Sequence, residues 1–84
     1  MYEIKFSKHA EAFLSKLKSR ELKQRLLIKI KLLSINPYIE QSKKLSNHLK
    51  RRIRVGKYRV IYAVDDDLIK IYKIGKRGEI YKNL

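Results

Sequence analysis

The hydrophobic positions of this chain follow a helical spacing in the N-terminal half and a strand-like alternation in the C-terminal half. Residues 2–6 alternate apolar and polar side chains, which predicts a short first strand. Ser7 then stands where a helix N-cap is expected. Residues 8–18 carry apolar side chains at the i, i+3, i+4 and i+7 spacing of one helical face. These positions are Ala10, Phe13, Leu14 and Leu17.

A second, longer helix is predicted between Ser19 and Asn36. Ser19 is a candidate N-cap, and Pro37 ends the helix because proline disfavours helical geometry in the residue before it. The main apolar stripe of this helix consists of Leu22, Leu26, Ile30 and Leu33. A further apolar set lies off that stripe and consists of Leu27, Ile28, Leu32 and Ile35. The second set belongs either to the core or to a groove for a partner, and the core is favoured because most such residues are buried.

The segment KRRIRVGKYRVIYAV, residues 50–64, predicts a β-hairpin. Gly56-Lys57 has the Gly-X form of a two-residue type II′ turn. Residues 65–67 and 75–78 predict two further turns, which makes residues 68–74 and 79–82 the expected later strands. A two-residue and a three-residue loop at 65–67 are both possible, and they turn opposite side chains of the next strand toward the helices.

The predicted order of elements is β-α-α-β-β-β-β, with residues 38–49 as a connecting loop. Successive hairpins indicate an α+β fold, in which a helical hairpin packs on one face of an antiparallel sheet. With 84 residues, the chain is long enough for one domain, residues 1–84.

Arginines are the most informative residues of the predicted hairpin. Strand alternation puts Arg52 and Arg54 on the face opposite to Ile53 and Val55. The two-residue turn places Arg59 directly across from Arg54. Like charges opposite one another destabilise a sheet by about 0.2 to 1 kcal/mol, so a structural role alone explains the pair poorly. A phosphate between the two guanidinium groups explains it well, and the alternative is a solvated basic face in a lysine-rich protein.

Composition narrows the class of partner. The net charge is +14, and no acidic residue stands between Glu40 and Asp65, which indicates a polyanionic partner. The absence of cysteine excludes disulfides and thiolate metal sites. We expect a cytoplasmic protein with no metal, no cofactor and no membrane partner. The cations expected to surround an RNA-binding surface are Lys43, Lys44, Lys50, Arg51, Lys57 and Lys76.

A second candidate cluster near the end of the chain contains Arg77 and Tyr81. Cleavage of RNA through its own 2′-hydroxyl needs a base, cations at the phosphorus and a donor for the leaving oxygen. His9 and His48 are the two histidines and so candidate bases by residue type, but nothing in the sequence ties either one to the hairpin. Ionising a phenol near neutrality takes about 4 kcal/mol of preferential stabilisation, which several nearby guanidinium groups supply. Tyr81 is therefore a candidate base, and a packed C-terminal aromatic is the alternative.

Four segments of the chain resemble the RelE/ParE toxin superfamily. They are YEIKFSKHAEAFLSKL at the start, NPY after the second helix, KKLSNHLKRRIRVGKYRVIYAVDDD, and the ending KIGKRGEIYKNL. The stretch RIRVGKYRVIY is the most specific, and the predicted order of elements agrees with the fold of that family. The resemblance spans nearly the whole chain and implies a toxin of a type II toxin-antitoxin pair.

The resemblance also implies two possible activities. RelE-like members enter the ribosomal A site and cleave mRNA without a metal, whereas ParE-like members inhibit DNA gyrase. The site positions of the nuclease branch match Arg52, Arg54, Arg59, Arg77 and Tyr81. Tyr81 is then expected to take the 2′-hydroxyl proton, Arg77 to assist the leaving oxygen, and the other three to hold the phosphate.

An endoribonuclease is the leading interpretation of the sequence. A non-catalytic gyrase inhibitor and a plain RNA-binding protein are the alternatives. The implied partners are the ribosome, mRNA and a RelB-like antitoxin that is acidic or amphipathic. The chain departs from the best-known members in two ways. Arg52 and Arg54 stand where those members have lysines, and the segment from Arg77 to Tyr81 is shorter than theirs.

Overall fold

Two helices pack on one face of a five-stranded sheet in the computed structural model, which describes residues 1–45 and 49–80, the last two by their backbone alone. The elements are β1 (Glu3–Phe6), α1 (Lys8–Lys16), α2 (Arg20–Ile35), β2 (Lys43–Lys44), β3 (Lys50–Val55), β4 (Tyr58–Asp65), β5 (Leu68–Lys76) and α3 (Arg77–Ile80). The predicted α+β class and the helical hairpin on one face of the sheet are confirmed. Within the described ranges, no helix is long and apolar enough to span a membrane.

Serine caps start both long helices, as the sequence predicts. The Ser7 hydroxyl accepts a hydrogen bond from the Ala10 amide at 3.1 Å, and the Ser19 hydroxyl accepts one from the Leu22 amide at 3.2 Å. Each cap satisfies an amide that has no partner within its helix, which is worth about 1 kcal/mol. α2 ends at Ile35, just before Asn36-Pro37, and α1 ends at Lys16, two residues earlier than expected.

The sheet is mixed rather than wholly antiparallel. Its strand order is β1-β5-β4-β3-β2, and β1 pairs in parallel with β5, whereas the other neighbours pair antiparallel. The expectation of an antiparallel sheet is therefore wrong for its first strand. Parallel strands need a long crossover connection, and here α1, α2 and three strands separate β1 from β5. The two strands therefore pair in the same direction although they are far apart in sequence.

The predicted last strand at 79–82 is also wrong. β5 continues through Gly75, which pairs with Arg59, and α3 begins at Arg77. Residues 79 and 80 are helical, and residues 81 and 82 lie outside the described part. Gly75 is thus a strand residue rather than part of a turn. The remaining strand is β2, inside the predicted loop 38–49, where Lys43 pairs with Arg52.

The core lies between the helices and the inner face of the sheet, by which we mean the face toward α1 and α2. From α2 it takes the main stripe, with Leu26, Ile30 and Leu33 buried as predicted. Burial of each such side chain contributes about 1.5–3 kcal/mol. The strands supply mainly β-branched residues to the core: Ile53, Val55, Val60, Ile69, Ile71 and Ile74.

The second apolar set of α2 is exposed, so its assignment to the core is wrong. Leu27, Ile28, Leu32 and Ile35 are 38%, 62%, 44% and 66% exposed. At about 3.6 residues per turn, positions 28, 32 and 35 lie on the side of α2 opposite its buried stripe. One sheet face receives one stripe of the helix, and the opposite side of α2 stays largely exposed in the part of the chain that the structure describes. We call Ile28, Leu32 and Ile35 the α2 outer stripe.

Candidate nucleic-acid interface

The hairpin between β3 and β4 has the register that the Gly56-Lys57 turn predicts. Val55 pairs with Tyr58, and Arg54 pairs with Arg59. Gly56 has a φ of 60°, a conformation that residues with a Cβ adopt only under strain. The glycine thus fixes the register that makes two arginines direct cross-strand neighbours.

Arg52, Arg54 and Arg59 lie on the outer face of the sheet, which is turned away from α1 and α2. Their accessibility differs. Arg54 is exposed and Arg52 is half-buried, whereas Arg59 is only 6% exposed. The Arg59 Nη1 atom donates a 3.4 Å hydrogen bond to the carbonyl oxygen of Tyr58. Arg54 and Arg52 are therefore the accessible pair, and Arg59 is a buried positive charge beside them.

Among the described side chains, no carboxylate lies within ion-pair distance of the three arginines. Within residues 1–45 and 49–78, side chains of opposite charge come within 4 Å of each other at one place. There Lys70 Nζ lies 3.6 Å from Asp65 Oδ2, away from the three guanidinium groups. Like charges that face each other across a ladder destabilise it, and a buried charge without a counter-ion adds a desolvation cost. The arrangement suits an anion that is supplied from outside the chain.

Arg77 follows β5 at the end of the sheet where Arg54 and Arg59 lie. Lys76, the residue before it, pairs with Tyr58, and the Arg77 side chain is exposed. The backbone therefore brings Arg77 toward the same end of the outer face. Tyr81 and His48 lie outside the described residues. His9 is exposed on α1, which packs on the inner face of the sheet, whereas the arginines lie on the outer face.

Arg51, predicted as one of the surrounding RNA-binding cations, lies on the inner face instead. Its cross-strand partner is Tyr62, a fully buried core residue. Arg51 Nε donates a 2.8 Å hydrogen bond to the Ser42 hydroxyl, and its guanidinium lies 5.1 Å from the centre of the Tyr38 ring. This placement follows from strand parity, because Arg51 shares a face with Ile53. The sequence contained that signal, but the charge pattern obscured it.

A chain of hydrogen bonds extends from Arg51 into the protein. The Ser42 hydroxyl and the Tyr62 hydroxyl are 2.5 Å apart, and Tyr62 donates to the carbonyl oxygen of Pro37 at 2.5 Å. Burial raises the pKa of the Tyr62 phenol, while the hydrogen bond with Ser42 and the charge of Arg51 act in the opposite direction. These hydrogen bonds join the loop after α2 to β3 and β4, so the Arg51 side chain has a structural role.

The other predicted cations divide between the two faces. Lys43 pairs with Arg52 and Lys50 pairs with Ala63, which puts both on the outer face. Lys44 pairs with Arg51 and Lys76 with Tyr58, so they belong to the inner side. Lys57 is exposed in the hairpin turn. Only some of the cations predicted to surround the RNA-binding surface therefore lie on the same face as Arg52, Arg54 and Arg59.

The ParE toxin model of type II toxin-antitoxin systems matches residues 4–81 of the chain, which is nearly its whole length. The chain belongs to the RelE/ParE superfamily of toxins. The resemblance found in the sequence is thereby confirmed. Among curated protein sequences, none matches the toxin significantly.

Solved structures of toxin-antitoxin systems have the same fold. A chain of the archaeal RelE-RelB complex from Pyrococcus horikoshii OT3 is 30% identical with a TM-score of 0.76, and the match covers 93% of this toxin and 97% of that chain. A chain of the RelBE2 complex from Mycobacterium tuberculosis is 28% identical with a TM-score of 0.74, covering 90% and 98%. A double arginine-to-alanine mutant of the Escherichia coli toxin RelE in the free state, at 23% identity, has a TM-score of 0.78 with coverage of 93% and 86%, and supports the fold alone.

Sequence reasoning missed several residues of the toxin that the fold brings to these surfaces. Lys5 pairs with Lys70, and Lys70 pairs with Ala63, so both lysines lie on the outer face. Arg25, from α2, approaches the hairpin turn, since a Cβ built on Gly56 would lie 3.5 Å from its Nη2 atom. These contacts join segments that are distant in sequence, so neither charge counting nor local alternation could find them.

Proposed function

We propose that this toxin is a ribosome-dependent endoribonuclease that cuts mRNA in the A site, without a metal, through the 2′-hydroxyl of the RNA. The observation that carries the proposal is the Arg54–Arg59 pair on the outer face, with Arg52 on the same face. In the described part of the chain, none of the three has a carboxylate within ion-pair distance. A phosphate group is the ligand that guanidinium groups bind best, because two parallel N–H donors match its oxygens.

The chemistry assigns these arginines to the phosphate. The 2′-oxygen attacks the phosphorus, and the 5′-oxygen leaves, which gives a 2′,3′-cyclic phosphate and a new 5′-hydroxyl. Arg54 and Arg52 would hold the non-bridging oxygens, and the buried charge of Arg59 would raise the positive potential behind them. Preorganised donors of this kind are worth about 10²–10³ in rate each, because they are aimed at charge that develops in the transition state.

Proton transfer is assigned to the C-terminal residues. Tyr81 would take the proton of the 2′-hydroxyl, and Arg77 would donate a hydrogen bond to the leaving 5′-oxygen, which takes its own proton from water. The position of Arg77, one residue beyond the Lys76–Tyr58 pair, supports its part. The part of Tyr81 rests on the sequence, in which its phenol is the candidate base and its position matches the family's site.

Inhibition of DNA gyrase is the second candidate function, and one observation favours it. The matching family model is that of ParE toxins, which are the gyrase-inhibiting branch of the superfamily. A non-catalytic inhibitor would need the fold and the basic surface, but not Arg77 or Tyr81 as reacting groups. The two functions therefore differ in what the C-terminal substitutions do.

The test is a direct comparison on both targets. Purified toxin is added to ribosomes that carry a defined mRNA, and the ends of the mRNA are mapped and tested for a 2′,3′-cyclic phosphate. Supercoiling by DNA gyrase is measured with the same preparation. We expect cleavage in the A site, no effect on gyrase, and strong loss of cleavage in Arg77→Ala and Tyr81→Phe. Gyrase inhibition with intact mRNA, or full toxicity of both variants, would refute the nuclease assignment.

The toxin's partner is proposed to be an acidic, amphipathic antitoxin that covers the α2 outer stripe. Ile28 and Ile35 are 62% and 66% exposed, and a groove beside them is bordered by Arg25, Lys29 and Arg54. An apolar stripe flanked by cations complements a helix with apolar and acidic faces. A second copy of this +14 chain would bring like charges together at the same groove.

Binding measurements with the candidate antitoxin test this surface. The product of an acidic reading frame beside the toxin gene is the ligand, and the variants are Ile28→Asp and Ile35→Asp. Each is expected to weaken binding at least tenfold, because a charge replaces a buried apolar contact. Leu49→Asp is the matched control, since Leu49 is 87% exposed but lies outside α2. Equal binding by all three variants would exclude the α2 outer stripe.

A further inference from the structure

A β-bulge in β5 brings an aromatic ring to the outer face of the sheet. Tyr62 pairs with Ile71 and Ile61 pairs with Lys73, which leaves Tyr72 as an extra residue between them. The bulge interrupts the alternation of β5 and changes the direction of the side chains beside it. Tyr72 is half-buried, and Lys50 Nζ lies 4.6 Å from the centre of its ring. Because Lys50 is an outer-face residue, the ring is on that face too.

Lysines surround this ring. Lys5, Lys70 and Lys50 form a row across the sheet, in which Lys5 pairs with Lys70 and Ala63 stands between Lys70 and Lys50. The small side chain of Ala63 leaves a hollow between the two lysines, and Tyr72 borders it. A second hollow, between β1 and β5, is bordered by Lys5, Lys70 and Tyr72. The ring and the lysines therefore line two depressions in the surface, which share Lys70 and Tyr72 as lining residues.

We propose that Tyr72, with Lys5, Lys50 and Lys70, is a subsite that stacks one base of single-stranded RNA and binds its neighbouring phosphates. This inference rests on the proposed function, because it gives the RNA a path beyond the cleavage site. An aromatic ring among cations is how sheet surfaces bind single strands without reading their sequence. An acidic peptide would use the lysines but would gain little from the ring.

The spacing along the strand agrees with one continuous path. Lys50 and Arg54 lie on the same face of β3, four residues apart. At about 3.3 Å per residue, this separation is ~13 Å, so one strand of RNA crossing the face reaches both. Two acidic residues lie at the rim of this face: Asp65 pairs with Lys70 at 3.6 Å, and Glu3, two residues before Lys5 on β1, pairs with Leu68 in the ladder. The Asp65–Lys70 pair is largely exposed, so a phosphate can compete for Lys70 at small cost.

The test measures binding of a short fluorescent RNA whose riboses carry 2′-O-methyl groups, so that it cannot be cleaved. Tyr72→Leu keeps an apolar side chain but removes the ring, and Tyr72→Phe keeps the ring. We expect Tyr72→Leu to weaken binding by about 5- to 150-fold, which is the range for loss of one stacked base. Tyr72→Phe should bind within about twofold of the unaltered toxin, because its ring stacks equally well.

Salt dependence tests the lysines separately. Lys5→Gln/Lys70→Gln is compared with Lys16→Gln/Lys31→Gln, which removes the same two charges from exposed positions on α1 and α2. Loss of two phosphate contacts should make the log-log salt slope shallower by about 1.4 in the first pair only. Tyr72→Leu should leave the slope unchanged, because stacking releases no counter-ions.

Unchanged binding by Tyr72→Leu, or equal slopes for the two lysine pairs, overturns the subsite. If Tyr72→Leu fails to fold, photocrosslinking of a 4-thiouridine RNA to the unaltered toxin decides, since the subsite requires a crosslink at Tyr72. Cleavage of ribosome-bound mRNA separates this inference from the proposed function. An intact mRNA with ring-dependent RNA binding contradicts only the nuclease assignment. Cleavage together with ring-independent binding contradicts only the subsite.

Discussion

Arg51 and Arg54 lie three residues apart on β3, yet the protein uses them differently. Arg51 faces the helices, where it donates to Ser42 and lies beside the Tyr38 ring. Arg54 faces outward, is exposed, and pairs with a second arginine, Arg59. The same residue type thus completes a hydrogen-bond network on one face of the strand and creates charge repulsion on the other. An arginine that is satisfied by the fold indicates structure, and one that is left without a partner indicates a ligand.

The network on the inner face explains why Arg51 is a poor candidate for RNA binding. Its guanidinium donates to both the hydroxyl and the carbonyl oxygen of Ser42, at 2.8 and 3.5 Å. Moving Arg51 to a phosphate would leave Ser42 without this donor, next to the buried Tyr62 hydroxyl. The outer-face arginines would break no such network on binding a phosphate. Among the described residues, the one hydrogen bond that their side chains make to the protein joins Arg59 to the Tyr58 carbonyl oxygen.

The largest effect is expected on the outer face. Replacing both Arg52 and Arg54 with glutamine should lower mRNA cleavage on the ribosome at least ~100-fold, because donors to the transition state are lost. The free energy of unfolding should change by less than about 0.5 kcal/mol, as is usual for surface sites. Cleavage is measured by single-turnover kinetics and stability by urea unfolding.

The double lysine variant of the same two positions is the matched control. Lysine keeps the charge but lacks the planar fork that binds two phosphate oxygens. We expect its cleavage rate to lie between that of the toxin and that of the glutamine variant. Full cleavage by the glutamine variant would remove both arginines from the site.

A smaller effect, on stability alone, is expected from Tyr62→Phe on the inner face. The substitution leaves the Pro37 carbonyl and the Ser42 hydroxyl one partner short, which should cost about 1–3 kcal/mol. Tyr38→Phe is the control, because the Tyr38 ring is 55% exposed and its contact with Arg51 is made by the ring face. Comparable losses in the two variants would contradict the role of the buried network.

The contribution of Tyr62 to the free energy of unfolding should also depend on pH. The pKa of this phenol is raised in the folded protein, mainly by burial, so between about 10 and its folded value the unfolded chain binds fewer protons. Stability from Tyr62 is then complete below about pH 10 and falls as the pH rises further. The difference in unfolding free energy between the toxin and Tyr62→Phe should shrink above that pH. A difference that grows would contradict the burial of the phenol.

The smallest effect is expected from Lys70→Gln. The Lys70–Asp65 pair is 3.6 Å long, with side chains 42% and 64% exposed, and such pairs contribute at most about 1 kcal/mol. Relief of repulsion with Lys5 opposes the loss, so unfolding free energy should change by less than about 0.5 kcal/mol. A loss above about 1 kcal/mol would mean that outer-face lysines stabilise the fold.

The parts of the fold that local rules determine were predictable. The Gly56-Lys57 turn fixed the pairing of Arg54 with Arg59, and serine caps marked the starts of α1 and α2. The parts that depend on distant contacts were not. Parallel pairing of β1 with β5 and the pairing of Lys43 with Arg52 join remote segments, and neither has a local signature.

The candidate site divides in the same way. Strand parity assigned Arg52, Arg54 and Arg59 to one face, but it could not reveal that Arg59 is buried. The bulge at Tyr72 breaks the alternation on which such assignments depend. The exposed α2 outer stripe was expected in the core, because a sequence shows which positions are apolar but not how many neighbours a helix has.

The most direct test of the account compares two variants, one substituted on each face of β3, in two measurements. Arg51→Gln and Arg54→Gln remove the same charge from the same strand, and both are assayed for unfolding free energy and for cleavage of ribosome-bound mRNA. Arg51→Gln should lose about 1–2 kcal/mol of stability and retain cleavage where it is folded. Arg54→Gln should keep its stability and lose cleavage about 100-fold. The opposite pattern, or equal loss of cleavage in both, would contradict the division between a structural inner face and a phosphate-binding outer face.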